Sequence, residues 1–131
     1  MVTPQLTKNQ TLVMDALSHS EGPMSAYTIL DKLRDHGFRA PLQVYRALDK
    51  LLEYGLVHRL ESINAFVACT CPHDHEHDHG VTAFTICEGC GQVTEFHDAV
   101  IEQRLSTLTR AQNFKTEKTT IEIRGHCQSC A

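Results

Sequence analysis

Apolar residues recur over the first sixty positions at the three- and four-residue spacing of helices. Leu12, Val13, Ala16 and Leu17 form one stripe, and Thr7 with Gln10 ahead of it has the pattern of a capping box. Glu21-Gly22-Pro23 breaks this helix. Ser25 suits the N-cap of a second, with Ile29, Leu30 and Leu33 inward and Gly37 as the stop. Pro41 fits the first turn of a third helix, which Gly55 ends. Two short runs, Leu56–Leu60 and Ala65–Cys69, then flank the turn Glu61-Ser62-Ile63-Asn64 and read as a β-hairpin. Three helices and a hairpin in this order predict a winged helix-turn-helix.

The third helix has two unlike faces. Val44, Ala47, Leu48, Leu51 and Leu52 are apolar and face inward, while Gln43, Arg46 and Lys50 share the opposite side. Amides and guanidiniums can read base edges, and ammonium groups meet phosphates. Periodicity alone is equally consistent with ordinary solvated positions.

Residues 70–81 have no periodicity and a composition dominated by His and Asp, as in a linker or loop. The remainder predicts strand (Thr82–Ile86), cysteine turn, strand (Gln92–Phe96), helix (about Asp98–Ala111) and strand (Lys118–Arg124). In the last strand Thr119, Ile121 and Ile123 alternate with Thr120, Glu122 and Arg124. A unit this small has little core of its own and calls for a staple and a partner subunit. The expected fold class is therefore α+β. The expected divisions are residues 1–69, the winged-helix unit; 70–81, a His-rich hinge loop; and 82–131, a small unit to be stapled and paired with a partner subunit.

Composition sharpens the chemistry. No stretch approaches the length of a membrane span and the N-terminus lacks a signal pattern, which points to the cytosol. In that reducing compartment six Cys, with nine His, favour metal or redox chemistry over disulfides. Seven Lys/Arg against six Asp/Glu in residues 1–60, and five against ten in 61–131, leave any basic face to the first half.

Cys87-x2-Cys90 and Cys127-x2-Cys130 supply four thiolates, the soft tetrahedral set of structural zinc. A redox dithiol would open a helix; a strand-like run follows the first pair, and the chain given ends one residue after the second. A second, mixed set remains: His58, Cys69, Cys71, His73, His75, His77, His79, Glu95 and His97. It can build a weaker zinc site, but a His-rich loop can also scavenge metal unspecifically. His58 can equally be a strand residue with a satisfied hydrogen bond, and composition does not choose among the histidines.

The run Ala40-Pro41-Leu42-Gln43-Val44-Tyr45-Arg46-Ala47-Leu48, then Glu53-Tyr54-Gly55-Leu56-Val57-His58, then Cys87-x2-Cys90-Gly91 and the terminal Cys127-x2-Cys130, resembles the ferric uptake regulator family and within it the zinc uptake regulator branch. The resemblance runs from about Thr7 to Cys130. It implies a bacterial, cytoplasmic, homodimeric repressor that binds double-stranded operator DNA when zinc is sufficient and silences zinc-uptake genes. It implies two zinc ions per chain. One is structural, on Cys87, Cys90, Cys127 and Cys130. The other is regulatory, on His58, Cys69, a hinge-loop His (His79, with His77 as alternate) and Glu95, with Cys71 as alternate to Cys69. DNA contacts fall to Tyr27 and Arg46, with Gln43, Tyr45 and Lys50 of the same helix as Arg46. The extra N-terminal helix of many members is not expected, and Thr119 stands near where some carry a His for a further metal. Neither a membrane nor a small-molecule substrate is implied. The chain lacks the H-x-E…P-C-x-x-C pattern of zinc deaminases, and no enzyme is expected. An iron- or peroxide-sensing regulator of the same family, or a zinc storage or delivery protein, are the alternatives. A carrier has no need of the Gln43/Arg46/Lys50 face.

Overall fold

A computed structural model of the chain describes residues 5–69 and 81–131. They fall into two compact units that divide after Cys69.

The N-terminal unit has α1 (Lys8–Ser18), α2 (Ala26–Leu33), a short 3-10 turn (Arg34–His36), α3 (Pro41–Glu53), β1 (Val57–Leu60) and β2 (Ala65–Ala68). The local signals are met one by one. Thr7 and Gln10 close a capping box on α1, the Thr7 side chain taking the Gln10 N–H at 3.2 Å and Gln10 Oε1 taking the Thr7 N–H at 3.0 Å. Ser25 caps α2 by accepting from the Thr28 N–H at 3.1 Å. Gly37 stops the 3-10 turn in the left-handed region, at φ 97°. The three helices bury Val13, Ile29, Val44, Leu48 and Leu51 completely or nearly so, with Phe38 sealing the α2–α3 turn. β1 and β2 pair antiparallel with Leu60 opposite Ala65. Met24, just past the predicted breaker, exchanges backbone hydrogen bonds with Phe66 at 2.8 and 3.0 Å and so ties the hairpin to the start of α2. That bridge is absent from any local pattern, since its partners lie forty residues apart. This is the winged helix-turn-helix arrangement the pattern predicts.

The C-terminal unit has β3 (Val81–Cys87), β4 (Val93–Phe96), α4 (Ala99–Ala111) and β5 (Thr119–Gly125) in a sheet of order β4-β3-β5. β4 is antiparallel to β3, whereas β5 is parallel to it, in register from Val81 opposite Thr119 to Cys87 opposite Gly125. β3, at the centre, is buried at every position but Thr85. By contrast α4 buries none of its residues, and Val100, Leu108 and Phe114 stand 75%, 42% and 61% exposed. Asp98 caps α4 by accepting from the N–H groups of Val100 and Ile101. The α+β class with a cysteine cluster in this second unit agrees with the sequence reading.

Candidate functional site

The parallel pairing of β3 and β5 creates the four-cysteine site. Both strands point the same way and end level, so the turn after Cys87 and the turn after Gly125 leave the sheet side by side. The Glu88 N–H donates to the Gly125 carbonyl at 2.8 Å and joins the two turns directly. The sulfurs of Cys87, Cys90, Cys127 and Cys130 consequently lie within 4.8 Å of one another, and those of Cys90 and Cys127 are 3.8 Å apart. A tetrahedral zinc with arms of about 2.3 Å sets its sulfurs about 3.8 Å apart, so the observed spacing fits that ion.

Electrostatics divide the four thiols. Cys87 receives N–H groups from Cys127 (3.3 Å), Cys90 (3.4 Å) and Gly89 (3.3 Å). These donors, Cys127 and Cys90 first, pull its thiol down to about 5 from an ordinary 9.0, against an opposing push from burial. Cys130 moves the other way, up to about 12, because the sulfurs of Cys127, Cys87 and Cys90 crowd it. The Gln92 N–H draws Cys90 down, but the sulfurs of Cys87 and Cys127 outweigh it and leave that thiol raised. Without metal, one thiolate is settled by backbone donors and two neighbours resist ionising beside it. A dication cancels that repulsion. Gly89 fits the same geometry: a Cβ there would come within 2.9 Å of the Cys130 Cβ and Sγ.

The mixed set is met in part. In the N-terminal unit the β1–β2 register places His58 opposite Val67, so Cys69, two residues further on, shares the His58 face of the hairpin. The Cys69 N–H holds the Leu56 carbonyl at 2.9 Å, and the His58 and Cys69 ligand atoms lie within 4.8 Å. In the C-terminal unit Glu95 sits on β4 opposite Phe84, its carboxylate 3.0 Å from His97 Nε2. His79, His77 and Cys71 lie outside the described residues.

Of the candidate DNA contacts, Tyr27 is 63% exposed at the start of α2, and Arg46 and Lys50 are exposed on α3. Lys50 pairs with Glu53 at 3.3 Å. Tyr45 is half-buried against the helical core. Gln43 has a role the sequence reading missed: its Oε1 accepts from the backbone N–H groups of Arg39 (2.6 Å) and Ala40 (3.0 Å) and closes the start of α3. The signal was available, because Ala40 has no side chain to cap with and a Gln at the third helical position is half of a capping box. Gln43 also lines a depression of about 260 Å³ with Thr7, Asn9, Gln10, Arg46 and Ala47, where the start of α1 meets α3. Among the described residues no helix is long and apolar enough to cross a membrane.

Comparison with known proteins follows the same lines. The model of the ferric uptake regulator family matches residues 3–124. The zinc uptake regulation protein of Escherichia coli strain K12 is 38% identical over 127 residues, spanning 96% of this chain and 72% of that protein. Among solved structures, a zinc uptake regulator complexed with zinc and DNA superposes with a TM-score of 0.86 at 36% identity, covering 95% of this chain and 82% of that one. Holo XcZur superposes with a TM-score of 0.85 at 34% identity, covering 98% and 87%.

Proposed function

The chain belongs to the ferric uptake regulator family, and from that premise we propose that it is a zinc-responsive transcriptional repressor, which binds operator DNA as a homodimer when zinc is sufficient and silences zinc-uptake genes. The observation that carries this reading is its likeness, over nearly the whole chain, to a zinc uptake regulation protein. Thiolate chemistry supports zinc over iron: a Cys beside a His on the hairpin face is a donor pair suited to zinc, whereas oxygen-rich sets suit harder metals. The reading contains no enzymatic step and places the protein in the bacterial cytoplasm.

We assign two zinc ions per chain. The structural one takes Cys87, Cys90, Cys127 and Cys130. Bound there, zinc would supply a cross-link between the turns that follow β3 and β5. The regulatory one takes His58, Cys69, Glu95 and a hinge-loop histidine, His79 before His77. His58 and Cys69 belong to the wing, and Glu95 to the second unit. Ligands drawn from both would restrict how freely the two units move. A dimer must present two recognition helices at a fixed half-site separation, so the restriction selects the DNA-competent arrangement.

For DNA, Arg46 and the Gln43 amide face the groove, Lys50 and Tyr27 flank them, and Tyr45 anchors α3 from its buried side. The exposed apolar residues Val100 and Leu108 of α4, and Phe114 just beyond it, suit burial against a second copy. Arg46→Ala tests the interface: affinity for the operator should fall by about 1–3 kcal/mol, and far less on random duplex. Equal loss on both would make Arg46 a phosphate contact.

A further inference from the structure

Just past the end of β4, His97 Nε2 stands 3.0 Å from Glu95 Oε2. The Glu95 side chain is 3% exposed and that of His97 40%. Residues two apart on a strand share a face, which brings the pair together. An ionised carboxylate can only accept, so the shared hydrogen sits on His97 Nε2.

Resting on the reading of Glu95 as a regulatory-zinc ligand, we propose that His97 is a positioning residue that holds Glu95 as a one-oxygen ligand and thereby keeps the regulatory site four-coordinate and selective for zinc. The N–H takes one of the two lone pairs on Oε2 and draws charge from that oxygen, which leaves Oε1 the stronger donor and disfavours binding through both oxygens. Glu95 binding through both oxygens would raise the coordination number and add hard-oxygen character, which favours manganese or iron over zinc. The Glu95 side chain is buried, so a hydrogen bond at Oε2 biases which oxygen it gives. Partners of this kind orient ligands elsewhere, and their loss costs about 10–100-fold in metal affinity.

The test uses the full chain with zinc kept in the four-cysteine site and cobalt(II) in the weaker one. Four-coordinate cobalt absorbs strongly in the visible, and five-coordinate cobalt weakly. His97→Ala should weaken that absorption several-fold and lower zinc affinity at the weaker site about 10–100-fold. His97→Gln, which can still donate to Glu95 but offers no imidazole, should restore both. A wild-type spectrum from His97→Ala overturns the proposal. So does a His97→Gln as damaged as His97→Ala, because His97 would then itself be the ligand. Glu95→Ala separates the two levels of failure: it must change the spectrum, and if it does not, the assignment of Glu95 as a ligand is what fails.

Discussion

Gly89 has no room for a side chain. A methyl group there would meet the Cys130 Cβ and Sγ at 2.9 Å, and a sulfur committed to a metal cannot retreat. Gly89→Ala should therefore weaken the four-cysteine zinc by about 10–100-fold, measured by competition with a chromogenic chelator. Gly91 is a contrast. Its Cβ would meet nothing within 4 Å, but its φ of +78° is costly for any side chain, so Gly91→Ala should lower stability by about 1–2 kcal/mol and leave zinc affinity nearly unchanged. The thiols make a pH prediction. Cys90 and Cys130 are raised, the latter to about 12, so at pH 7 both hold protons that zinc must expel. Loading should release at least two protons per zinc, read by calorimetry in buffers of different ionisation enthalpy, and affinity should rise by at least about a hundredfold per pH unit near neutrality. Cys87 has the opposite sign. Its thiol is depressed to about 5, so the stability its thiolate gives the metal-free unit is full above 9.0 and is lost as pH falls through 5. Of this site the sequence carried the four ligands through their spacing. It did not carry the Cys127 N–H donor on Cys87, which depends on how two turns forty residues apart abut.

Among the elements, α1, α2 and α3 were legible because each carries its own start, stop and apolar stripe within a dozen residues. The β1–β2 hairpin was legible for the same reason. The parallel pairing of β3 with β5 was not, since nothing local in Thr119–Gly125 fixes either its direction or its register against Val81–Cys87. Alternation in β5 was visible, yet Ile123 is 49% exposed, a feature of a face that the described residues do not cover. The Gln43 cap makes a prediction at this scale. Gln43→Ala removes acceptors from the Arg39 and Ala40 N–H groups, so the N-terminal unit should lose about 1 kcal/mol in denaturant unfolding. Operator affinity should fall with it. Gln43→Glu keeps the acceptor but not the amide donor, so stability retained with specificity lost would assign base reading to the amide. Stability lost in both variants would contradict the capping role.

For the whole molecule, the charge asymmetry acquires a meaning. The near-neutral first half carries Arg46 and Lys50 on one exposed helix face, and the acidic second half carries the four-cysteine cluster and the exposed apolar residues of α4. On the proposed reading, a chain of two small units gains its function from what restricts them: the four-cysteine site would support the second unit internally, and the mixed site would make zinc supply the variable to which DNA binding responds. Linkage then demands reciprocity, so operator DNA must tighten zinc at the mixed site by the same factor by which zinc tightens DNA. The most direct test is operator affinity measured on one preparation before and after a mild chelator, with zinc per chain counted by elemental analysis in both states. The account predicts that the fall from two zinc ions per chain to one abolishes specific operator binding, and that restoring zinc restores it. Equal operator affinity with one zinc per chain and with two would contradict it.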